Sequence, residues 1–145
     1  MQIQMTLNQK KITAEIEADT LLLDFVRDHG CLSVKRGCET ANCGLCTVLL
    51  DGVPVLSCST LAARAAGHHV QTLEGLQAEA EEFVGFNNTF NGMPLPSIAL
   101  LRENSTPTDD EIRAYLAGNL CRCSGYDGQL RGIRAYLDWK GAQAK

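Results

Sequence analysis

An α+β chain is expected, with a strand-rich first half followed by a small all-helical second half. Three observations predict it. Apolar and polar residues alternate along Gln2–Leu7 and again along residues 10–16. Asp51-Gly52 stands between two short β-prone runs. After Leu76 the alternation gives way to segments of helical period. The expected boundary divides the chain into residues 1–76 and 77–145. A length of 145 residues with 45% apolar composition is enough for one ordinary domain or two small ones with a real core.

Each element has its own signal. Ile3, Met5 and Leu7 share one face of the first run, and Ile12, Ala14 and Ile16 share one face of the second. Asn8-Gln9 makes the turn of this opening hairpin. Asp19 or Thr20 offers an N-cap to a helix whose apolar face is Leu21, Leu22, Phe25 and Val26, and Gly30 stops it. A hairpin and then a helix is how a β-grasp begins. Thr47–Leu50 and Val53–Leu56 pair through Asp51-Gly52, a strong two-residue hairpin signal. Residues 61–66 are expected to form a short Ala-rich helix and residues 70–73 the last strand. Beyond the boundary, Gln77–Val84 reads as a helix, and residues 86–96 as an irregular loop from their asparagines, glycine and prolines. Residues 97–103 return to helix. Thr108 and Glu111 form a capping box that opens another helix, with Gly118 as its stop. A last helix spans residues 129–139, with Leu130, Ile133 and Leu137 on one side.

The chemistry is concentrated between Gly37 and Cys58. Cys38, Cys43, Cys46 and Cys58 follow the pattern C-x4-C-x2-C and one distant cysteine. Plant-type ferredoxins hold a [2Fe–2S] cluster with that spacing. Three thiolates on one loop grip two irons only if the backbone curls around the inorganic core, and Gly37 and Gly44 permit such close approach. The hairpin that follows returns the chain beside the loop, so that Cys58 can close the site. Loop amides would then face the sulfurs and tune the reduction potential.

The same residues admit competing readings. Cys43-x2-Cys46 is also a zinc half-site, although four-cysteine zinc sites usually come as two short pairs. A thioredoxin-like pair lacks a βαβ setting. Structural disulfides need an oxidising compartment, whereas the amino terminus shows no export signal and the cysteine count of seven is odd. A zinc-stabilised binding module therefore stays open as an alternative. Cys31 reads as a small core residue. His68 and His69 read as part of a polar turn with no chemistry.

A net charge of −4 and a pI near 5.3 leave no basic footprint for nucleic acid or an anionic membrane surface. No run approaches transmembrane length. The expected location is cytoplasmic.

Four stretches carry a specific resemblance: Ser33-Val34-Lys35-Arg36-Gly37-Cys38, Cys43-Gly44-Leu45-Cys46-Thr47-Val48, Thr72-Leu73-Glu74-Gly75-Leu76 and Gly118-Asn119-Leu120-Cys121-Arg122-Cys123-Ser124-Gly125-Tyr126. In these the chain resembles the small iron–sulfur subunit of the molybdenum hydroxylases, the xanthine dehydrogenase and aldehyde oxidase family. The resemblance implies a β-grasp domain with one [2Fe–2S] cluster and a helical-bundle domain with another. It implies a non-catalytic redox subunit that relays electrons from a large molybdopterin subunit toward an FAD subunit, with xanthine as the first guess at substrate. A free-standing ferredoxin-like carrier is the remaining alternative.

One departure from that family matters. Its helical domain holds its cluster with a C-x2-C pair ahead of the C-x-C pair. Here Cys121 and Cys123 supply the second pair, but the first should fall near Phe86 and Thr89, and neither is cysteine. Cys121 and Cys123 are then a remnant or a partial site. A natural one-cluster variant, a local alteration or misreading of residues 83–96, and ligands from a partner chain all stay open, with local alteration favoured.

Overall fold

A computed structural model describes residues 1–84, 94–120 and 125–144. Strands β1 (Gln2–Leu7) and β2 (Lys10–Glu15) pair antiparallel as the expected hairpin, with Asn8 in the turn at φ 57°. Strands β3 (Thr47–Leu50) and β4 (Val53–Leu56) form the second hairpin. Asp51 and Gly52 both have positive φ, 49° and 84°, which matches the right-handed twist of the strands they join. The last strand, β5 (His69–Gln71), begins and ends earlier than the expected residues 70–73. It lies at the sheet centre, parallel to β1 and antiparallel to β3, in the order β2-β1-β5-β3-β4. The result is a ferredoxin-like β-grasp.

Helix α1 (Leu22–Asp28) covers one face of this sheet. Leu22, Leu23 and Val26 are fully buried against Ile3, Met5, Leu7, Val48 and Val70. Each such side chain contributes roughly 1.5–3 kcal/mol by leaving water. The expected cap at Asp19 or Thr20 is absent, and Leu21 is the N-cap with no side-chain bond. Backbone pairing replaces the cap: Ala62 N–H donates to Thr20 C=O and Leu22 N–H to Thr60 C=O, both at 2.8 Å. The helix start is thus tied to a distant segment, which a local reading of capping residues misses. The short Ala-rich helix is a 3-10 turn, Ala62–Ala65.

Among the described residues, four helices make up the remainder: α2 (Gln77–Val84), α3 (Pro94–Glu103), α4 (Asp109–Leu116) and α5 (Tyr126–Gln143). Helix α2 has the expected bounds. Part of the expected loop at 86–96 lies outside the described residues, but Pro94 and Pro96 belong to α3. Both sit in its first turn, where the missing N–H would have had no helical partner. The capping box forms as expected, with Glu111 N–H donating to Thr108 Oγ1 and Thr108 N–H to the Glu111 carboxylate. Helix α5 is longer than expected; Ile133 is buried with Leu130 and Leu137 packed against its cluster, as expected, and Gln129, Gly132 and Tyr136 are buried beside them.

Strand β3 joins the two halves. Val48 faces α1, while its neighbour Leu49, also fully buried, faces Leu95, Ile98 and Ala99 of α3. Alternation along a strand places successive side chains on opposite faces. One strand therefore carries the β-grasp core on one side and the seat of the helices on the other. Among the described residues, no helix is long and apolar enough to cross a membrane.

Candidate metal centre

The loop between α1 and β3 is shaped by left-handed residues. Glu39, Ala41 and Gly44 have φ of 55°, 57° and 74°. Non-glycine residues rarely adopt this region, and it is held here by what the curl achieves. It turns successive amides inward: Thr40, Asn42 and Cys43 N–H groups donate to Cys38 Sγ at 3.4, 3.3 and 3.3 Å. Such a nest of N–H dipoles favours negative charge. The Cys38 thiol is accordingly pushed down to about 6 by its hydrogen bonds from Thr40, Asn42 and Cys43. Arg36 pairs with both Asp24 of α1 and Glu39, which staples the loop to the helix. Lys35 N–H donates to Leu45 C=O at 3.2 Å and closes the loop at its base.

Gly37 lies where the backbone meets the thiols. A Cβ there would stand 2.7 Å from Cys43 Sγ and 2.8 Å from Leu45 Cδ1, so glycine alone leaves this space clear. Cys46, 3% exposed, is the last residue before β3. The Thr47↔Leu56 register of the hairpin returns the chain to it. Ser57 then bonds to Cys46 C=O through its N–H at 3.3 Å and its hydroxyl at 2.6 Å. This sets the buried Cys58 beside Cys46, where burial, with the neighbouring Cys58, pushes the Cys46 thiol up to about 11.

Cys38 and Cys43 thus lie half-buried on the loop, the Cys43 amide on the Cys38 sulfur, and Cys46 and Cys58 neighbour each other in the interior. Among the described residues, no three His, Cys, Asp or Glu side chains converge on one ion position. Four cysteines suit a binuclear group in which each iron takes two thiolates. The glycine cradle at Gly37 and the inward amides fit the same group.

Other expected features separate from this centre. Cys31 is 3% exposed and belongs to the β-grasp core, with its thiol pushed up by burial. His68, in the bend before β5, contacts the Asp51 carboxylate at 2.6 Å, whereas His69 lies in β5 rather than in the expected turn. Cys121 and Cys123, like Phe86 and Thr89, lie outside the described residues. No cysteine stands between Cys58 and Cys121 in the sequence. Two thiolates do not complete the ligand set of a second [2Fe–2S] cluster. The donor set of the helical half does not fit that group.

Sequence reasoning missed three contributors: the left-handed Glu39 and Ala41, the hydroxyl of Ser57, and a contact from beyond α4. Leu120 N–H donates to Cys43 C=O at 2.7 Å, although the two residues lie in different halves of the chain. No local pattern announces a bond of that kind.

Comparison with known proteins is consistent along the whole chain. Residues 5–72 match the 2Fe-2S iron-sulfur cluster binding domain and residues 62–134 the [2Fe-2S] binding domain. The nicotinate dehydrogenase small FeS subunit of Eubacterium barkeri is 38% identical over 136 residues, covering 86% of this chain and 87% of that one. The xanthine dehydrogenase iron-sulfur-binding subunit of Escherichia coli O157:H7 is 40% identical over 139 residues, covering 86% of each. Among solved structures, quinoline 2-oxidoreductase from Pseudomonas putida 86 superposes with a TM-score of 0.86 at 36% identity, over 95% of this chain and 94% of that one.

Proposed function

This chain belongs to the iron–sulfur small subunits of the molybdenum hydroxylases, and we propose that Cys38, Cys43, Cys46 and Cys58 hold its single [2Fe–2S] cluster. It is the electron-transfer subunit of an oxidoreductase and does no bond-making of its own. The observation that carries the ligand assignment is a loop whose amides already point at the Cys38 sulfur, with Cys46 and Cys58 side by side beneath it.

When bound, the cluster supplies a carrier of one electron at a time. The chain's own residues do the rest. Cys38, acidified by hydrogen bonds from the Thr40 side chain and from the amides of residues 40, 42 and 43, offers a thiolate at neutral pH, which is the form that ligates. Cys46 and Cys58 present their sulfurs from the interior and exclude water from that side. Gly37 keeps the sulfur of Cys43 free of a side chain. The amides of residues 40, 42 and 43 would stabilise the added charge of the reduced state.

Cys121 and Cys123 are read as the remnant of a second site, and the division at residues 76 and 77 as the border between the two domains. The partners are a large molybdopterin subunit, where substrate is oxidised, and an FAD subunit, with xanthine or a related heterocycle as the substrate. The described cysteines are free thiols, which suits a reducing, cytoplasmic setting.

Low-temperature EPR of the reduced full-length chain, with iron and acid-labile sulfide quantitation, tests the reading. About two irons per chain and one rhombic signal are expected. One zinc per chain with no signal would establish a structural metal instead.

A further inference from the structure

The contact between the cluster loop and the end of α4 goes beyond packing. In a trans peptide the C=O and the following N–H point in opposite directions. Leu120 N–H takes the Cys43 carbonyl at 2.7 Å, so that carbonyl faces the helical half and the Gly44 N–H faces away from it, back toward the loop. Gly44 itself does not enforce this orientation. Its φ is +74°, and glycine occupies both signs of φ about equally well, so rotation of the 43–44 peptide unit is open to the isolated loop.

What restrains the rotation comes from outside the loop. A Cβ on Gly44 would meet Asn119 Oδ1, Gly118 O at 2.6 Å and Asn119 Cα at 2.9 Å, so the segment Gly118-Asn119 lies flush against the peptide. That segment is rigidly placed, since Asn119 N–H donates to Leu116 C=O at 2.9 Å and ties it to α4. Among the described residues, no donor reaches the buried Asn119 Oδ1. On the other flank, Thr47 N–H and its hydroxyl hold the Gly44 carbonyl at 3.2 and 2.7 Å.

We propose that Leu120 and Asn119 are positioning residues for the N-terminal cluster: they lock the Cys43–Gly44 peptide with its N–H turned into the loop, and the helical half thereby sets the cluster's reduction potential. The inference rests on the ligand assignment above. A rotated peptide would present a carbonyl oxygen where an N–H now points, which disfavours the more negative, reduced state.

The test is potentiometric EPR on the full chain, reconstituted anaerobically with iron and sulfide. Leu120→Pro removes the donor, whereas Leu120→Ala keeps it and trims only a side chain that is 52% exposed. Leu120→Pro is expected to lower the ratio of reduced to oxidised cluster about tenfold at a fixed poise, which is about 59 mV for one electron. Leu120→Ala should match the wild type. Asn119→Ala, which retains every backbone donor but frees the space over Gly44, should shift the ratio in the same direction by a smaller factor and release iron faster to a chelator. Identical potentials in wild type, Leu120→Pro and Leu120→Ala overturn the proposal. If Leu120→Pro does not fold, an unchanged potential in Asn119→Ala overturns it equally. A wild-type chain with no cluster signal is a different result and sinks the ligand assignment instead.

Discussion

Gly37→Ala is the substitution that most directly examines the cradle. The added Cβ would stand 2.7 Å from Cys43 Sγ, whereas ordinary contact begins at 3.4 Å, so the sulfur must retreat by about 0.7 Å or the loop must open. That displacement is several times the tolerance of about 0.2 Å within which metal–ligand distances are held. Overpacking of this kind costs about 1–3 kcal/mol, which corresponds to a roughly 5- to 150-fold loss in cluster retention. Gly52→Ala is the matched control. Its Cβ meets nothing within 4 Å, but its φ of +84° strains any side chain, so it should lower fold stability by roughly 1 kcal/mol and leave the centre intact. The assay follows visible absorbance during incubation with an iron chelator, alongside denaturant unfolding of the same samples. Gly37→Ala should lose colour much faster than wild type, and Gly52→Ala should unfold earlier yet bleach at the wild-type rate. Full iron content and an unchanged bleaching rate in Gly37→Ala would refute the cradle argument.

Glu74 gives a pH-dependent prediction. Burial raises its pKa, but hydrogen bonds from Ser33 N–H at 2.7 Å, Ser33 hydroxyl at 2.6 Å and Thr72 hydroxyl at 2.6 Å outweigh that and hold it below the ordinary value of 4.5. The folded state therefore binds its proton less readily than the unfolded one. Its stabilisation is present above the unfolded value and is lost as pH falls through the depressed folded value. Denaturant midpoints should show wild type ahead of Glu74→Gln at about pH 6, with the gap closing toward about pH 3; a constant gap would contradict the linkage. A second prediction concerns the helical half. The double variant Phe86→Cys, Thr89→Cys supplies the C-x2-C pair, and reconstituted iron should rise from about two to about four per chain with a second EPR signal. Iron that stays near two would show that the missing thiols are not what limits this half.

The elements legible in the sequence are those whose cause is local. The Asp51-Gly52 turn follows from two residues that tolerate positive φ, and the capping box from the reach of Thr108 and Glu111 to each other's backbone. The spacing of Cys38, Cys43 and Cys46 pointed to a binuclear group because a loop of that length must curl to bring its sulfurs together. The N-terminus of α1 was misplaced for the opposite reason, since its cap is the backbone of residues 60–62 rather than Asp19 or Thr20. The apolar side of α5 is legible too, since Ile133 is buried and Leu130 and Leu137 pack against its cluster. The burial of Gln129, 1% exposed, is not legible, because its own polarity argues the other way.

The sequence by itself thus determined the hairpins, the helical second half and the thiol-bearing loop, each governed by neighbours within a few residues. Only the tertiary structure decided that β5 enters between β1 and β3, that Leu49 seats α3 behind the sheet, and that Leu120 reaches Cys43. Those contacts join residues far apart along the chain. Such a pairing forms only when the surrounding core stabilises it by more than the entropy of closing the intervening chain, and no local pattern records that balance.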